Sequence, residues 1–153
     1  MCCRNLCGTH LPLTFILPSD SKDLKLFIKN NQTKPLWIVK PANRQGGEGI
    51  QVVDNINKIP KKKPAIIQMY LSNPYLINEH KFDLRLYVLI TSLDPLTVYL
   101  YGDGLVRFAT KPYTNRTDKL QDKFVHLTNY EINKVWMNTF LLIHSWGFKY
   151  VIN

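Results

Sequence analysis

The sequence predicts an α+β fold in which flanking helices cover a central antiparallel sheet. Short apolar segments rich in Val, Ile, Leu and Tyr recur along the chain, separated by turn residues such as Asp94-Pro95. One segment, Ser21–Asn30, instead carries its apolar residues at helical spacing. With 153 residues, 45% of them hydrophobic, the chain is long enough for one domain with a core.

One helix and six strands follow from the pattern. Ser19 or Asp20 caps the helix over Ser21–Asn30, whose apolar positions include Leu24 and Phe27. Strands are predicted at residues 36–40, 50–53, 65–70, 81–91, 96–101 and 105–110. The last three form an antiparallel meander in this prediction, with turns at Asp94-Pro95 and at Gly102-Asp103-Gly104. Residues 114–123 have the composition of a surface loop, and the pattern over 124–134 does not decide between helix and loop.

The composition limits the partners and the compartment. A net charge of +9 and a pI near 9.5 predict an anionic partner: a nucleic acid, a nucleotide, a membrane surface or an acidic polypeptide. Cys2, Cys3 and Cys7 lie near His10, but two adjacent cysteines fit the spacing of zinc ligands poorly. Cysteines confined to this end favour a reducing compartment. We expect neither a signal peptide nor a membrane span, because no segment has the required pattern or length.

A row of charged side chains is predicted along the strand at 81–91. Because side chains alternate across a strand, Lys81, Asp83 and Arg85 share one face and the apolar residues share the other. Arg107 extends this row, because the returning chain brings its strand alongside. Charges in an apolar segment require partners, so the row is a candidate site for phosphate, metal or carboxylate groups. The alternative is a solvated face with an internal Asp–Arg pair and an exposed Arg107.

Two further motifs suit a nucleotide. Lys40 ends a strand and precedes a loop with Gly46 and Gly47, where backbone N–H groups can approach phosphate oxygens. The alternative is a plain flexible hairpin. Gln68-Met69-Tyr70-Leu71 ends the next strand and can offer backbone groups and apolar side chains to an adenine ring. The alternative there is an ordinary core strand.

The last motif is His126-Leu127-Thr128-Asn129-Tyr130. Thr128 and Asn129 supply a hydroxyl and an amide suited to ribose, phosphate or backbone groups. The alternative is a capped turn, in which His126 is a hydrogen-bonded structural residue rather than a base.

The order and spacing of these motifs resemble those of the tubulin–tyrosine ligase-like family over residues 15–134. Within that family, the chain is similar to the tubulin polyglutamylases. The motifs that carry the resemblance are, in order, Trp37-Ile38-Val39-Lys40-Pro41, the loop ending in Gly49-Ile50, Gln68-Met69-Tyr70-Leu71, Lys81-Phe82-Asp83-Leu84-Arg85, Gly104-Leu105-Val106-Arg107-Phe108-Ala109-Thr110 and residues 126–134.

The resemblance implies an ATP-grasp fold, in which two α+β lobes clasp ATP. It implies an ATP-dependent ligase that adds glutamate to glutamate side chains of tubulin tails. In the implied mechanism, ATP phosphorylates an acceptor carboxylate, and the amine of free glutamate then attacks the acylphosphate. Mg²⁺ is the implied metal, and its family ligands, in a Glu-X-Asn motif, are expected beyond the residues of this chain.

The resemblance also implies a role for each site residue. The implied ATP-binding residues are Lys40, Gly46, Gly47, Gln68, Met69, Tyr70, Leu71, Lys81, Asp83, Thr128 and Asn129. Arg85 and Arg107 are the implied catalytic residues, since a guanidinium suits the carboxylates of the reacting groups. Free glutamate is expected to contact Arg107, Tyr130 and Glu131.

The implied partners are acidic. Glutamate-rich tubulin tails fit the basic excess, with the lysines at 61–63 as a candidate contact, whereas a nucleic acid or a membrane is not expected. The implied location is cytoplasmic, on microtubules, with cilia and basal bodies as candidate sites.

The chain also departs from the family pattern. Gly46 stands where the family usually has an arginine, and Glu131 where it usually has a serine. Residues 1–14 are expected to form a poorly ordered leader, 15–134 a partial ligase domain, and 135–153 a divergent apolar tail in place of an incomplete C-terminal lobe. Without two of the magnesium ligands, we expect catalysis to be impaired.

Two alternatives remain open from the sequence. One is a non-catalytic module that binds tubulin tails or ATP. The other is a nucleic-acid-binding domain, although the aromatic residues are not interleaved with basic residues as stacking platforms require.

Overall fold

The computed structural model describes residues 11–31, 34–55, 59, 63–134, 141–144 and 151–152. The helices are α1 (Ser21–Asn30), α2 (Lys123–His126) and α3 (Tyr130–Asn133). The strands are β1 (Thr14–Leu17), β2 (Trp37–Pro41), β3 (Gln51–Val53), β4 (Ala65–Met69), β5 (Leu76–Ile77), β6 (His80–Arg85), β7 (Val88–Leu93), β8 (Leu96–Leu100), β9 (Asp103–Phe108), β10 (Leu141–His144) and β11 (Val151–Ile152). The α+β class with antiparallel strands is confirmed, but the described strands lie in three sheets rather than in one central sheet.

The first sheet and α1 enclose the main core. Its strand order is β1-β4-β2-β3, and every pairing is antiparallel. Along β4, Ile67 is buried and Ile66 is exposed, as the alternation of a strand requires. On the buried side, the rings of Phe15, Phe27 and Trp37 meet at centroid distances of 5.9–6.0 Å. Phe27 comes from α1, so these aromatic contacts attach the helix to the sheet.

The predicted helix is confirmed at its predicted bounds. Asp20 occupies the N-cap position, but its carboxylate accepts a hydrogen bond from the backbone N–H of Ile16 at 2.9 Å instead of capping the first turn. At the other end, the backbone and side-chain nitrogens of Asn31 both donate to the carbonyl of Phe27, at 3.0 and 2.8 Å. These bonds satisfy a carbonyl that the helix leaves without an intrahelical partner.

The strand predicted at 81–91 is in fact two strands in two sheets, and the predicted meander is wrong. β6 pairs with β9, and β7 pairs with β8, so the chain forms one long hairpin that reverses at Asp94-Pro95 and has two arms. Between the arms, residues 86–87 on one side face residues 101–104 on the other. This unequal number of residues breaks the ladder, as in a β-bulge. Gly102 therefore lies in an irregularity of the returning strand and does not reverse the chain.

A glycine permits the close approach at this bend. A Cβ placed on Gly104 would lie only 3.0 Å from the carbonyl oxygen of Arg85. The Tyr101 N–H donates to the Tyr87 carbonyl at 2.9 Å and links the two sides. Beyond the bend, the side chains of Val88 and Ile90, which belong to the predicted apolar face of the strand, are exposed.

The segment that the pattern left undecided forms two short helices. Three strands that the pattern did not predict, β1, β10 and β11, pair with predicted ones. Residues 124–134 contain most of α2 and all of α3, and Asp122 caps α2 by accepting from the Phe124 N–H at 3.0 Å. β1, which the pattern did not predict, lies between Pro12 and Pro18 at the edge of the first sheet. In the tail, β10 pairs with β9 and β11 pairs with β8, and the other residues after 134 lie outside the described ranges.

Replacing Ile67 with alanine tests the main core. Ile67 is 0% exposed at the centre of the sheet, so we expect Ile67→Ala to lower the free energy of unfolding by about 2–5 kcal/mol. Ile66→Ala is the matched control, because Ile66 is the adjacent residue on the same strand and is 37% exposed; we expect a loss below about 1 kcal/mol. Chemical denaturation measures both, and equal losses would contradict this description of the core.

Candidate functional site

The centre of the site is Lys81, on β6. Its Nζ donates to the Tyr70 hydroxyl and to the His126 backbone carbonyl, each at 3.1 Å, and lies 4.5 Å from the centroid of the Tyr70 ring. Burial lowers the pKa of Lys81 from 10.5 to about 8. The nearby charge of Asp83 opposes this shift, whereas that of Lys40 adds to it.

Lys40, at the end of β2, is the second cation. Its Nζ donates to Gln68 Oε1 at 2.8 Å, and Gln68 Nε2 donates to the Thr14 hydroxyl at 2.9 Å. Burial lowers the pKa of Lys40 as well. Within the described residues, neither Lys40 nor Lys81 forms an ion pair with a carboxylate. Both ammonium groups are partly buried, and the charge of Lys40 makes the charged form of Lys81 less favourable. A bound anion would stabilise both charges, so the pair favours anion binding.

Arg107 lies beside the predicted row of charged side chains, where it pairs with Asp83. They are direct cross-strand partners, and the Arg107 guanidinium donates to both carboxylate oxygens, with Nε at 2.8 Å from Oδ1. These hydrogen bonds raise the pKa of Arg107. The alternative of an internal Asp–Arg pair is therefore partly correct, with Arg107 in place of Arg85. Arg85 is exposed, 5.7 Å from the Tyr87 ring, and has no carboxylate partner among the described residues.

The glycine-rich loop lies directly against the segment around Asn129. Gly46 and Gly47 have φ values of +65° and +90°, which favour glycine. A Cβ on Gly47 would lie 2.6 Å from Ile132 Cδ1 and 2.9 Å from Asn129 Cγ, so no larger residue fits without movement. The structure therefore brings together two of the predicted motifs that are about 80 residues apart in the sequence.

An open cleft of about 620 Å³ lies beside this loop. The residues that line it are Gln45, Gly46, Gly47, Glu48, Lys123, Glu131 and Ile132. Glu48 pairs with Arg44, and Glu131 pairs with Lys134 at 2.6 Å. Arg44 offsets the negative charge that Glu48 brings to the loop. Lys134 offsets the charge of Glu131, the residue that stands where the family usually has a serine.

The four residues predicted to hold adenine have different surroundings. Gln68 binds Lys40, Met69 packs against the main core, and the Tyr70 side chain is buried. The Tyr70 N–H also donates to the Leu36 carbonyl at 2.8 Å. Leu71 is the exposed member of the group, so a planar ring would contact Leu71 more readily than the buried side chain of Tyr70.

The segment after α2 depends on a residue that the sequence did not indicate. Asn133 is 0% exposed, and its Nδ2 donates to the carbonyls of Leu127 and Asn129 at 2.9 and 3.0 Å. Its Oδ1 accepts from the backbone and hydroxyl of Thr110. Asn133 thus fixes the turn that carries Thr128, which is buried, and Asn129. Tyr130 is exposed next to them. Asn133 lies within residues 126–134, a segment of undecided secondary structure from the sequence, and no simple pattern singles out its buried side chain.

The described residues do not fit a magnesium site. No three His, Cys, Asp or Glu side chains among them lie close enough to hold a metal ion, and both oxygens of Asp83 are bound by Arg107. Glu131-Ile132-Asn133 has the letters of a Glu-X-Asn motif, but the Asn133 amide is fully used within the protein and Glu131 pairs with Lys134. The cysteines with His10, and two of the lysines at 61–63, lie outside the described residues.

The stability of the protein should depend on pH through Lys81. Unfolded protein keeps this proton up to about pH 10.5, whereas folded protein loses it from about pH 8, so folding releases a proton between these values. Relative to Lys81→Met, we therefore expect the wild-type free energy of unfolding to rise by about 2–3 kcal/mol from pH 8 to pH 10.

Denaturant titrations at several pH values measure this difference. Lys25→Met, on the exposed side of α1, is the matched control and should give no comparable rise. If the free energy of unfolding depends on pH in the same way in wild type and Lys81→Met, burial does not destabilise the charged form of Lys81, and the prediction is wrong.

The chain is similar in sequence to known proteins. The family model "Tubulin-tyrosine ligase family" matches residues 2–140. The chain is 50% identical over 126 residues to the mouse protein named tubulin monoglutamylase TTLL4, which covers 82% of this chain and 10% of that protein. It is 43% identical to mouse tubulin polyglutamylase TTLL5 (81% and 9%) and 42% identical to mouse tubulin polyglutamylase TTLL7 (82% and 14%). The chain thus spans about a tenth of the length of these relatives, and it belongs to the tubulin-tyrosine ligase family.

Proposed function

We propose that this protein is an ATP-dependent tubulin–glutamate ligase that adds glutamate to glutamate side chains in the acidic tails of tubulin. The observation that carries the proposal is the pair of partly buried lysines, Lys40 and Lys81, that lack carboxylate partners among the described residues. The relatives named above are a tubulin monoglutamylase and two tubulin polyglutamylases, which supports the substrate class.

In the proposed reaction, ATP, an acceptor carboxylate and the amine of free glutamate give an amide, ADP and inorganic phosphate. An oxygen of the acceptor carboxylate attacks the γ-phosphorus, the bond to the β-phosphate oxygen breaks, and ADP leaves. The deprotonated amine of free glutamate attacks the resulting acylphosphate, and inorganic phosphate leaves as the amide bond forms. The protein must therefore hold a polyphosphate beside two carboxylates, which requires several separate cationic groups.

The residues of the site divide these tasks. Lys40, Lys81 and the backbone of the loop at Gly46 and Gly47 bind phosphate oxygens. Gly47 lies against Asn129, which with Thr128 completes the phosphate and ribose contacts. Leu71 and the backbone next to Tyr70 border the adenine. This assignment suits an ATP-grasp arrangement, in which adenine and phosphates lie between sheets, and that architecture remains part of the proposal.

Arg85 and Arg107 bind the carboxylates of the acceptor side chain and of free glutamate in this proposal. Arg85 is exposed and free of carboxylates among the described residues, so it can bind one bidentately. Arg107 keeps Asp83 in place and can share its guanidinium with a second carboxylate. Tyr130, beside Glu131, is exposed and close enough in sequence to the phosphate-binding turn to contact the incoming glutamate. The Lys134 pair reduces the repulsion that Glu131 would exert on an acidic ligand.

Magnesium, when bound to the nucleotide, would offset charge on the transferred phosphoryl group. Because the described residues do not form a ligand set for it, we assign no step to magnesium.

The partner and location follow from charge and family. The net charge of +9 suits the acidic tails of tubulin, and the lysines at 61–63 remain a candidate contact. Residence on microtubules in the cytoplasm, including those of cilia and basal bodies, is part of the proposal. No helix in the described ranges is long and apolar enough to cross a membrane.

A second candidate is a non-catalytic module that binds ATP or tubulin tails. The lack of a magnesium ligand set among the described residues favours it. A nucleic-acid-binding function has no comparable support from the geometry of the site.

Nucleotide binding should depend on Lys81 and on pH. Loss of a charge-assisted hydrogen bond costs about 1.5–3 kcal/mol, so we expect Lys81→Ala to weaken ATP binding by roughly 10- to 150-fold. A bound phosphate favours the charged ammonium, whereas the free protein loses this proton from about pH 8. The affinity of the wild type should therefore fall between pH 8 and pH 10.

Isothermal calorimetry with ATP measures both effects. Lys25→Ala removes the same charge from the exposed side of α1 and should leave the affinity within about twofold. Equal affinity of Lys81→Ala and wild type would contradict the assignment of the phosphate site.

Transfer of labelled glutamate to tubulin separates the two candidate functions. With ATP and magnesium, the ligase proposal predicts label in glutamate side chains of the tails, and none when ATP is omitted or Lys81 is replaced by alanine. The measurement is mass spectrometry of tail peptides. Retained binding of ATP and of tail peptides without any labelled product would instead support the non-catalytic module.

A further inference from the structure

A buried chain of hydrogen bonds leads from the protein interior to Lys81. His126 Nε2 lies 3.1 Å from the Lys119 carbonyl oxygen, and His126 Nδ1 lies 2.9 Å from the Tyr70 hydroxyl. The same hydroxyl oxygen accepts from Lys81 Nζ at 3.1 Å. His126 is 2% exposed and Tyr70 is 6% exposed, so water does not compete for these bonds.

The partners of this chain determine where each proton lies. A carbonyl oxygen only accepts, so the proton of the neutral imidazole lies on Nε2 and Nδ1 accepts from Tyr70. The Tyr70 hydroxyl thus donates to His126, and its oxygen accepts from Lys81. The Tyr113 side chain, whose hydroxyl donates to the Ser72 carbonyl, also lies beside the Tyr70 hydroxyl, and burial together with Tyr113 raises the pKa of Tyr70. Two of the three N–H donors of Lys81 are used by Tyr70 and by the His126 carbonyl, and one remains for a ligand.

The imidazole is also held in place by its neighbours. The rings of Tyr70 and Tyr113 contact it edge-on, at centroid distances of 5.6 and 5.7 Å. Burial lowers the pKa of His126, the hydrogen bond with Lys119 opposes this shift, and the charge of Lys81 adds to it. Asp122, at the start of α2, is the acidic group whose charge acts in the opposite direction.

We propose that His126 is a positioning residue for the proposed ATP site: in its neutral form it orients the Tyr70 hydroxyl, which holds the Lys81 ammonium with one N–H left for a nucleotide phosphate oxygen. This inference rests on the proposed function. His126 itself does not touch the nucleotide. Protonation would place a second N–H at Nδ1, facing the Tyr70 hydroxyl. Tyr70 would then have to accept from His126, in competition with Lys81, and a second positive charge would lie beside the ammonium.

Two substitutions separate this role from simple packing. Tyr70→Phe keeps the ring contact with His126 and Lys81 but removes the hydroxyl that links them. His126→Asn offers an amide oxygen near the position of Nδ1 and does not titrate. Tyr75→Phe is the matched control for Tyr70→Phe, because Tyr75 is 81% exposed and packs on Phe82, the neighbour of Lys81 on β6.

The first measurement does not involve nucleotide. An acylating reagent modifies neutral amines, so the pH dependence of labelling at Lys81, followed by peptide mass spectrometry, reports how strongly its charged form is held. Tyr70→Phe removes an acceptor of the ammonium, and the midpoint of labelling should move to lower pH, whereas Tyr75→Phe should match wild type. An unchanged midpoint in Tyr70→Phe would overturn the inference, whatever the result with ATP.

The second measurement is calorimetry with ATP between pH 5 and pH 8. We expect Tyr70→Phe to bind ATP about 3- to 10-fold more weakly than wild type at pH 7. As the pH falls below 6.5, wild type should lose more affinity than His126→Asn does, because only wild type has an imidazole to protonate and burial lowers the pKa of that imidazole. This comparison removes the titration of ATP itself, which both proteins share.

The outcomes distinguish the two proposals. If wild type binds ATP and Tyr70→Phe binds equally well, the positioning role is wrong and the proposed function stands. If wild type does not bind ATP, the proposed function fails and the phosphate contact of Lys81 fails with it. Should His126→Asn not fold, as judged by circular dichroism, Tyr70→Phe and its control still decide the positioning role.

Discussion

The arrangement of this protein depends on one buried ammonium group. Lys81 is held by a tyrosine hydroxyl that directly follows β4 and by a carbonyl at the end of α2, so it joins the first sheet, the long hairpin and the helical segment. Removing an ammonium group from water has a large unfavourable free energy, and hydrogen bonds to two neutral acceptors offset only part of it. Burial accordingly lowers the pKa of Lys81. Two partly buried lysines close together destabilise the folded protein. Binding of an anionic ligand explains their presence better than a contribution to stability does.

The polar contacts around Lys81 also explain how distant segments stay in register. His126 and Asn133 are nearly or fully buried polar side chains, and every hydrogen-bonding atom in them has a partner within the protein. Buried polar groups with all partners satisfied specify one arrangement, because any other leaves a donor or acceptor unpaired. Gly47 supports the same arrangement from the loop side, since its missing Cβ lets the glycine loop lie against Asn129. The glycine loop and the turn at Asn129 therefore lie against each other.

Local pattern predicted the elements better than it predicted their pairing. α1 was predicted at its observed bounds, and β2, β4, β8 and β9 lie within two residues of the predicted strands. The break at residues 86–87 escapes prediction because the side chains of residues 86–91 all suit a strand, and period-two alternation carries no information on which partner each half will meet. The reversal expected at Gly102 failed for a related reason. Glycines mark both turns and bulges, and only the ladder distinguishes the two.

The candidate site shows the same division. Residue type and spacing singled out Lys40, Lys81, Asp83 and Arg107, whereas the direct Asp83–Arg107 pair follows from a register that the sequence does not contain. The structural role of Asn133 and the acceptor role of His126 depend on tertiary contacts and are visible only once the hydrogen-bond partners of each side chain are known.

The most direct test is the pKa of the Lys81 side chain, measured by NMR of its ε-carbon and ζ-nitrogen in the 153-residue chain, with and without ATP. A pKa near 8 that rises when ATP is added is the result expected here, and an ordinary lysine pKa that ATP does not change would contradict it.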